Sequence, residues 1–431
     1  MNRAMTRVRS RLVTIVVASG LLTAIAWQNK SHASGFLIYD LSGEAIGRAS
    51  AMSAGVSDAT AVWFNPAQLA FLGGSSASVG GVFVTARSSF APSATGSAAG
   101  SGTTDSLRGN FVLPTVFVHS ALSDRVAIGM GAFTAFGIGI DWPSNWVGRE
   151  NAIGASVQTF TLNPTLAVKI HPRVAIGFGF DAVRAAVDFR TGLPSLIGGD
   201  VRLVGETWGY GANGAVHVNA IPDLLQFAVT YRSRVRLAFN GQADFRPDNP
   251  EFSRMLHDQG GNATIKLPDI MTAGVMAKPR PDLALGFDVN YVVWSTYSQV
   301  NIDFADPTTP DKVLRPAGKD GFTFRTGADW AMPACPGLHL RAGLIYDRSA
   351  VPPTGVAPGL PDADRIDVTA GMGYQRGRFK VDLGYMLVHF LDATATGGIE
   401  SPEGTYSTTA NLIGLTLSVV GAPGLGALIS P

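Results

Sequence analysis

The side chains that most often perform chemistry in proteins are scattered along this 431-residue chain. The single cysteine, Cys335, lies in a proline-rich turn and allows neither an intramolecular disulfide nor a cysteine-based zinc site. The seven histidines show no metal-ligand spacing, and no set of serine, histidine and carboxylate can be assigned. We therefore expect no enzyme activity, no cofactor and no bound metal.

The composition is that of a chain whose outer surface does not face water throughout. Charged residues make up 15% of the chain, whereas soluble proteins contain about 25%. The net charge is +1, so no basic surface predicts a nucleic-acid partner. The 51 glycines among 431 residues exceed the usual share, which is about 7%, and they show no collagen-like period.

The first 33 residues predict an export signal. Four arginines between Arg3 and Arg11 precede the apolar run Leu12–Trp27, and the small residues of Ser31-His32-Ala33 follow. This is the layout of a secretory signal peptide, 1–33, with a mature chain that starts at Ser34. A membrane anchor is the alternative, but the apolar run is short for a span of about 20 residues.

Most of the remaining chain alternates between apolar residues and small or polar residues, with a period of two that predicts β-strands. The alternation is clearest at Leu283–Val293. Short turns alternate with long polar loops between the strands, which is typical of an outer-membrane barrel and not of a soluble sandwich. We expect an all-β fold, a 14-stranded antiparallel transmembrane β-barrel over 75–420 with a C-terminal tail at 421–431. The predicted strands are 77–90, 110–122, 125–138, 155–171, 174–190, 201–219, 223–243, 262–279, 282–304, 320–333, 337–349, 364–376, 378–392 and 405–420.

Aromatic residues cluster near the predicted strand ends, as in the aromatic girdles at both membrane surfaces. A soluble aromatic core is the alternative interpretation. The residues concerned are Trp142, Trp146, Trp208, Trp294, Tyr297 and Trp330.

Several short motifs follow one another along the chain. They are Ser34-Gly35-Phe36, Gly47-Arg48-Ala49, Asn65-Pro66-Ala67, Phe136-Gly137, Trp146-Val147-Gly148-Arg149, Lys266-Leu267-Pro268-Asp269 at a strand start, Tyr346-Asp347-Arg348-Ser349 and Leu360-Pro361-Asp362-Ala363-Asp364-Arg365. Taken in this order, the motifs resemble those of the FadL-type long-chain fatty-acid transporters. The resemblance covers Ser34 to Val420, and the chain departs from the barrel pattern in lacking a terminal aromatic residue.

The resemblance implies an N-terminal plug, or hatch, formed by residues 34–74 inside the barrel lumen. The hatch motif is Asn65, Pro66 and Ala67. A simple turn before the proline is the alternative for Asn65, and it is compatible with a plug. A barrel of this size has an interior that side chains alone do not fill.

The resemblance also implies that a hydrophobic ligand first binds to extracellular loops. Apolar residues on outer loops are costly to expose unless they cover each other or bind something, so packing within the loops is the alternative. The candidate residues are Leu193, Leu196, Ile197, Phe252, Met255 and Leu256.

Two further sites follow from the resemblance. Arg325 and Arg341 lie on the predicted lumen face and could bind a ligand carboxylate, but an internal network with Asp288, Asp329 and Asp382 is the alternative. The third strand would open the wall sideways, with a kink between Gly129 and Ile138 that faces Asn65–Ala67, although glycine-rich barrel strands are common. The residues of this lateral-opening strand are Gly129, Gly131, Phe133, Phe136 and Gly137.

We therefore expect a transport protein of the Gram-negative outer membrane. It would take long-chain fatty acids or related hydrophobic compounds from the loops into the barrel and release them laterally into the outer-membrane lipid. A general diffusion porin for small polar solutes is the alternative. The partners would be the hydrophobic small molecule and the surrounding lipid.

Overall fold

The computed structural model describes residues 35–95, 98–107, 109–297, 299–314, 318–396 and 401–422. The predicted signal peptide, 1–33, and all of the predicted tail after residue 422 lie outside these ranges. In the described ranges, no helix combines the length and the apolar character needed to cross a membrane.

The predicted 14-stranded antiparallel barrel is confirmed. Every strand pairs with its neighbours in the chain, and the last strand pairs with the first along 404–422, which closes the wall. The strands are β1 (Ser75–Pro92), β2 (Gly109–Ala121), β3 (Val126–Phe133 and Gly137–Asp141), β4 (Gly154–His171), β5 (Val174–Gly192), β6 (Asp200–Ile221), β7 (Leu225–Arg232 and Val235–Arg246), β8 (Gln259–Leu267 and Ile270–Arg280), β9 (Leu283–Val292 and Val300–Phe304), β10 (Gly321–Ala331), β11 (Leu338–Asp347), β12 (Arg365–Arg376), β13 (Phe379–Phe390) and β14 (Gly404–Ala422).

The long connections lie at one end of the barrel and the short turns at the other, as predicted. Outer-membrane barrels place the long loops outside the cell. Small elements occur in these loops: strand pieces at Thr104–Asp105, Lys312–Leu314 and Ala393–Ala395, and 3₁₀ turns at Pro250–Phe252 and Pro353–Gly355.

Four strands are each divided into two segments, which corrects the continuous strands predicted at 125–138, 223–243, 262–279 and 282–304. In β8 the division falls at Pro268-Asp269, inside the strand and not at its start. Pro268 has no N–H to donate to the ladder. The Asp269 carboxylate instead accepts hydrogen bonds from the backbone N–H of Arg234 at 3.0 Å and from its Nε at 2.8 Å, across the division of β7.

Large apolar side chains are exposed on the outside of the wall, where lipid replaces water. Phe178, Val229 and Leu417 are each more than half exposed, which is the pattern of a lipid-facing surface. Trp208 and Trp330 also face outward.

The other tryptophans of the predicted girdle are buried, so the girdle interpretation is wrong for them. Trp142 and Trp146 stack at 4.5 Å in the loop region, and Trp294 lies against Phe36 of the plug at 5.1 Å. Their positions at strand ends do not distinguish an aromatic residue that faces lipid from one that turns inward.

The N-terminal segment lies inside the barrel and folds into three short helical pieces. These are α1 (Gly43–Gly47), α2 (Ala61–Phe64) and a 3₁₀ helix at Pro66–Phe71. The Ser42 hydroxyl accepts a hydrogen bond from the N–H of Ala45 and caps α1. Leu41, Ile46 and Phe64 are fully buried, in apolar clusters that they share with wall residues, so this segment packs against the lumen face.

Glycines on the lumen face allow the plug backbone to lie directly on the wall. A Cβ atom at Gly177 of β5 would lie 2.3 Å from the nitrogen of Ala67, and one at Gly327 of β10 would lie 2.1 Å from the carbonyl oxygen of Arg48. Any other residue at these positions would have to displace plug backbone. Part of the unusual glycine content is thereby explained.

We predict that Gly177→Val displaces the hatch motif without preventing barrel assembly. The added side chain would occupy the position of the Ala67 backbone, so ion conductance in planar bilayers should rise severalfold and the plug should become sensitive to protease. Gly81→Val is the matched control, because a Cβ there meets its nearest atom, the oxygen of Leu113, at 3.4 Å. Unchanged conductance and protease resistance in Gly177→Val would contradict the close packing.

Candidate functional site

The hatch motif connects the plug to the barrel wall through Asn65. Its Nδ2 donates a hydrogen bond to the carbonyl oxygen of Ser53 at 2.6 Å and lies 3.2 Å from Nδ1 of His217 on β6. Its Oδ1 accepts from the N–H of Ala67 at 3.1 Å and caps the 3₁₀ helix. The fully buried Asn65 side chain therefore both forms the turn before Pro66 and holds the plug against the wall.

Arg341, one of the two arginines considered for carboxylate binding, belongs to a buried charge network between plug and wall. Its guanidinium donates to Asp329 at 2.6 Å and to Asp382 at 2.7 Å. Lys380 on β13 pairs with the plug carboxylates of Glu44 and Asp58. Glu44, Asp58 and Asp382 are close enough together to hold a metal ion, but the Lys380 ammonium lies among them.

The network determines the charge state of the plug residue Glu44. Burial alone would raise the pKa of this carboxyl, but the positive charges of Lys380, Arg341 and Arg48 outweigh burial and hold that pKa well below its usual value. Glu44 therefore stays ionised and attached to the wall at neutral pH.

Arg325, the second of these arginines, also contacts the plug. Its Nη1 lies 3.3 Å from Oδ1 of Asp40 and 3.3 Å from the carbonyl oxygen of Ala49, and the guanidinium covers the ring of Tyr39. Asp288, on the same face, accepts hydrogen bonds from Met52 and Ser53 of the plug. These contacts are those expected of an internal charge network, which was the alternative to a carboxylate-binding site. A carboxylate role for Arg325 and Arg341 stays a prediction.

Four of the six predicted loop residues come together with strand residues in one apolar cluster. Leu193 and Leu256 are buried in it, with Val201 and Ala243, while Ile197 and Phe252 pack against it. The alternative of packing within the loops therefore describes these four residues. Leu196 is 83% exposed and Met255 is 40% exposed, so both remain available to a ligand.

The residues of the predicted lateral-opening strand β3 face the plug. A Cβ atom at Gly129 would lie 2.6 Å from Val62, and one at Gly131 would lie 3.0 Å from the same side chain. The ring of Phe133 packs on Trp63 at 5.0 Å, and the ring of Phe136 packs on Phe36 at 5.9 Å.

The ladder between β2 and β3 is incomplete. It pairs Ala121 with Ala127 through to Val116 with Ala132 and ends there. Residues 109–115 of β2 and 133–140 of β3 are not paired with each other, and one bridge between Leu107 and Asp141 follows. On its other side, β3 pairs with β4 up to Phe133 and again from Gly137. We call the unpaired stretch the wall gap.

The plug residues that face the wall gap are Phe36–Ile38, which corrects the predicted partner Asn65–Ala67. The N–H of Ile38 donates to the oxygen of Ala135 at 2.8 Å, and the N–H of Gly137 donates to the oxygen of Phe36 at 3.0 Å. The interruption of β3 lies within the predicted interval of Gly129 to Ile138. The 3₁₀ helix that begins at Pro66 packs mainly against β4 and β5, and it also touches β6, the first segment of β3 and β2.

A cavity of about 710 Å³ lies beside Phe36–Ile38 and reaches through the wall gap. Its lining includes the lumen residues Met386 of β13 and Leu412 of β14, and also Val112, which is 68% exposed on the outside of β2. Most of its lining is apolar, with charged groups at its two ends. This arrangement suits an apolar molecule.

Comparisons with known proteins agree with this architecture. The family model described as "Outer membrane protein transport protein (OMPP1/FadL/TodX)" matches residues 22–419. The chain belongs to this family. Membership of this family places it in the outer membrane of a Gram-negative cell as a transport protein and not as an enzyme.

Two kinds of relative illustrate the family. The long-chain fatty acid transport protein of Escherichia coli O6:H1 is 23% identical, over 87% of this chain and 90% of the relative. The crystal structure of a Pseudomonas aeruginosa FadL homologue has a TM-score of 0.81 at 17% identity and covers 90% of this chain and all of the other. The Pseudomonas putida toluene transporter TodX has a TM-score of 0.69 at 16% identity, covering 91% and 100% of the two chains. These structures show a shared fold.

The sequence reasoning missed the inner end of the cavity in this family member. Arg365 and Asp367 of β12 line it, with Asp40 of the plug. The alternation of β12 could have placed Arg365 and Asp367 on the lumen face, but nothing in the sequence brings Asp40 to them.

We predict that Asn65→Ala destabilises the plug by about 1–2 kcal/mol, because a cap and a buried hydrogen-bond partner are lost. Amide hydrogen exchange at residues 53–71 should become roughly tenfold faster, with wall amides unchanged. Asn65→Ser is the matched control, because serine retains a capping oxygen while losing the reach to His217. If the amides of residues 53–71 exchanged at equal rates in Asn65→Ala and in the parent protein, Asn65 would not anchor the plug.

Proposed function

We propose that this protein carries apolar small molecules across the outer membrane and releases them sideways into lipid through the wall gap. The observation that supports it is the position of the cavity. The same space touches lumen residues such as Val388 and outward residues such as Val112 and Phe160. A molecule held there has apolar contacts on both sides of the wall.

The cost of transferring an apolar chain to water favours the sideways route over a downward one. Each methylene that leaves an apolar environment for water costs about 0.8 kcal/mol, so a sixteen-carbon tail loses on the order of 10 kcal/mol in the periplasm. Passage from the cavity into lipid avoids most of this loss.

The entry route is the apolar cluster below the long loops. Leu203 and Phe304 pack both against the loop cluster around Leu193 and against the main lumen core that contains Phe36. The exposed side chains of Leu196 and Met255 would make first contact with the ligand. The continuous packing then provides apolar surface from the loops to the cavity.

The relatives narrow the substrate class to hydrophobic compounds. One is named a long-chain fatty acid transport protein and another a toluene transporter. We propose a long-chain fatty acid or a related hydrophobic compound for this protein, with outer-membrane lipid as the receiving phase.

A general diffusion porin is the alternative, and the plug argues against it. Ala45, Ile46, Ala61 and Leu69 are completely buried between plug and wall. A wide aqueous pore for polar solutes would require this segment to leave the lumen.

We predict that a disulfide across the wall gap stops uptake. In a Cys335→Ser background, Asn110→Cys and Ile138→Cys would lie opposite each other if the register of β2 and β3 continued, and both residues line the cavity. Oxidation of these two cysteines to a disulfide should abolish uptake of a radiolabelled apolar substrate and leave binding of that substrate at the loops intact. Reduction should restore uptake.

The control staple joins the same two strands where they are already paired. Val118→Cys with Met130→Cys, partners in the ladder, should leave uptake unchanged. If the protein with the fully formed disulfide across the wall gap transported its substrate normally, exit through the wall gap would be ruled out and the porin alternative would be favoured.

A further inference from the structure

The charged groups that line the cavity differ between its two ends. At the outer mouth, Arg184 and Glu206 neutralise each other at 2.6 Å. At the inner end the cavity meets Asp40, Arg365 and Asp367. The inner end therefore determines how the cavity responds to a charged ligand.

The positive charge of Arg365 is already paired with carboxylates, so it is not free to bind a ligand at the inner end. Its Nη2 donates to Asp347 at 2.7 Å, and its Nε lies 3.7 Å from Asp367. It also interacts electrostatically with Asp362 and Asp40. Arg325 is the other guanidinium beside these groups, and it is held by Asp40. Four carboxyl groups thus surround two guanidinium groups.

Asp367 lines the cavity and carries an acceptor oxygen without a hydrogen-bond donor. The residue is 2% exposed, and its Oδ1 has no hydrogen-bond partner among the described residues. A buried acceptor without a donor is costly, so a ligand that supplies a donor gains from binding here. A ligand carboxylate supplies none and brings a second negative charge into a poorly screened space.

We infer that the cavity selects uncharged apolar molecules that carry one hydroxyl group, and discriminates against ionised carboxylates. The hydroxyl donates to the carboxylate of Asp367, and the apolar body lies among Met386, Val388 and Leu412. This inference rests on the proposed function, because it names the ligand class of the same cavity. Alcohols, phenols and protonated fatty acids have this chemistry.

The test uses three ligands that share one apolar body. Hexylbenzene has no polar group, 4-hexylphenol adds a neutral donor, and 4-hexylbenzoate is ionised at about pH 8. Binding to the full chain in lipid nanodiscs is measured by isothermal titration calorimetry, with empty nanodiscs subtracted. We expect 4-hexylphenol to bind roughly tenfold more tightly than 4-hexylbenzoate, and more tightly than hexylbenzene.

Substitution of the acidic group tests the cause. Asp367→Asn removes one negative charge with little change in shape. It should therefore raise the affinity for 4-hexylbenzoate and reduce the tenfold difference in affinity between 4-hexylphenol and 4-hexylbenzoate. Asp303→Asn is the matched control, because Asp303 is exposed on the outside of β9 and does not line the cavity. It should leave all three affinities unchanged. If Asp367→Asn does not fold, the three ligands on the unaltered protein still decide the question.

The outcomes separate the two proposals. Tighter binding of 4-hexylbenzoate than of 4-hexylphenol overturns the selectivity and leaves the transport route intact. Tighter binding of hexylbenzene overturns the role of the hydroxyl. If none of the three binds, both the inference and the proposed function fail.

Discussion

The structure depends on close contact between the plug backbone and the inner surface of the wall. At Gly177 and Gly327 the two backbones approach so closely that no side chain fits between them. The Lys380 ammonium, held by Glu44 and Asp58, adds an ionic connection. Removing one partner from such a buried group leaves an uncompensated charge, which is strongly destabilising. The plug is therefore a structural part of the barrel.

The incomplete wall is possible because the plug supplies the missing hydrogen-bond partners. Backbone groups without partners are costly at membrane depth. At the wall gap, the oxygen of Phe36 and the N–H of Ile38 replace part of a strand, and the Thr159 hydroxyl accepts from the N–H of Phe136 and donates to its oxygen. Pro114, in the unpaired part of β2, has no N–H that needs a partner.

The alternation of residue types allowed the fourteen strands and the closed barrel to be predicted, because every strand has one face toward lipid and the other toward the lumen. The same pattern could not reveal the interruptions of β7 and β9. Those depend on contacts between distant residues, such as the bond from Arg234 to Asp269. The buried position of Trp294 has the same origin, since its ring packs on Phe36 from the other end of the chain. The partners of Arg325 and Arg341 on the lumen face were partly foreseeable, but their plug contacts were not.

The two ends of the cavity are connected by one short piece of the plug. Phe36–Ile38 borders the wall gap, and Asp40, only two residues later, belongs to the inner charged end. Extended chain covers about 3.3–3.6 Å per residue, so two residues span less than the length of a long-chain ligand. Asp40 is fixed by the Ser50 hydroxyl at 2.5 Å and by Arg325 at 3.3 Å. Under the proposed function, a ligand that changes the hydrogen bonding at the inner end would act on the same segment that borders the opening. The proposed ligand site and the wall gap thus share a single stretch of backbone.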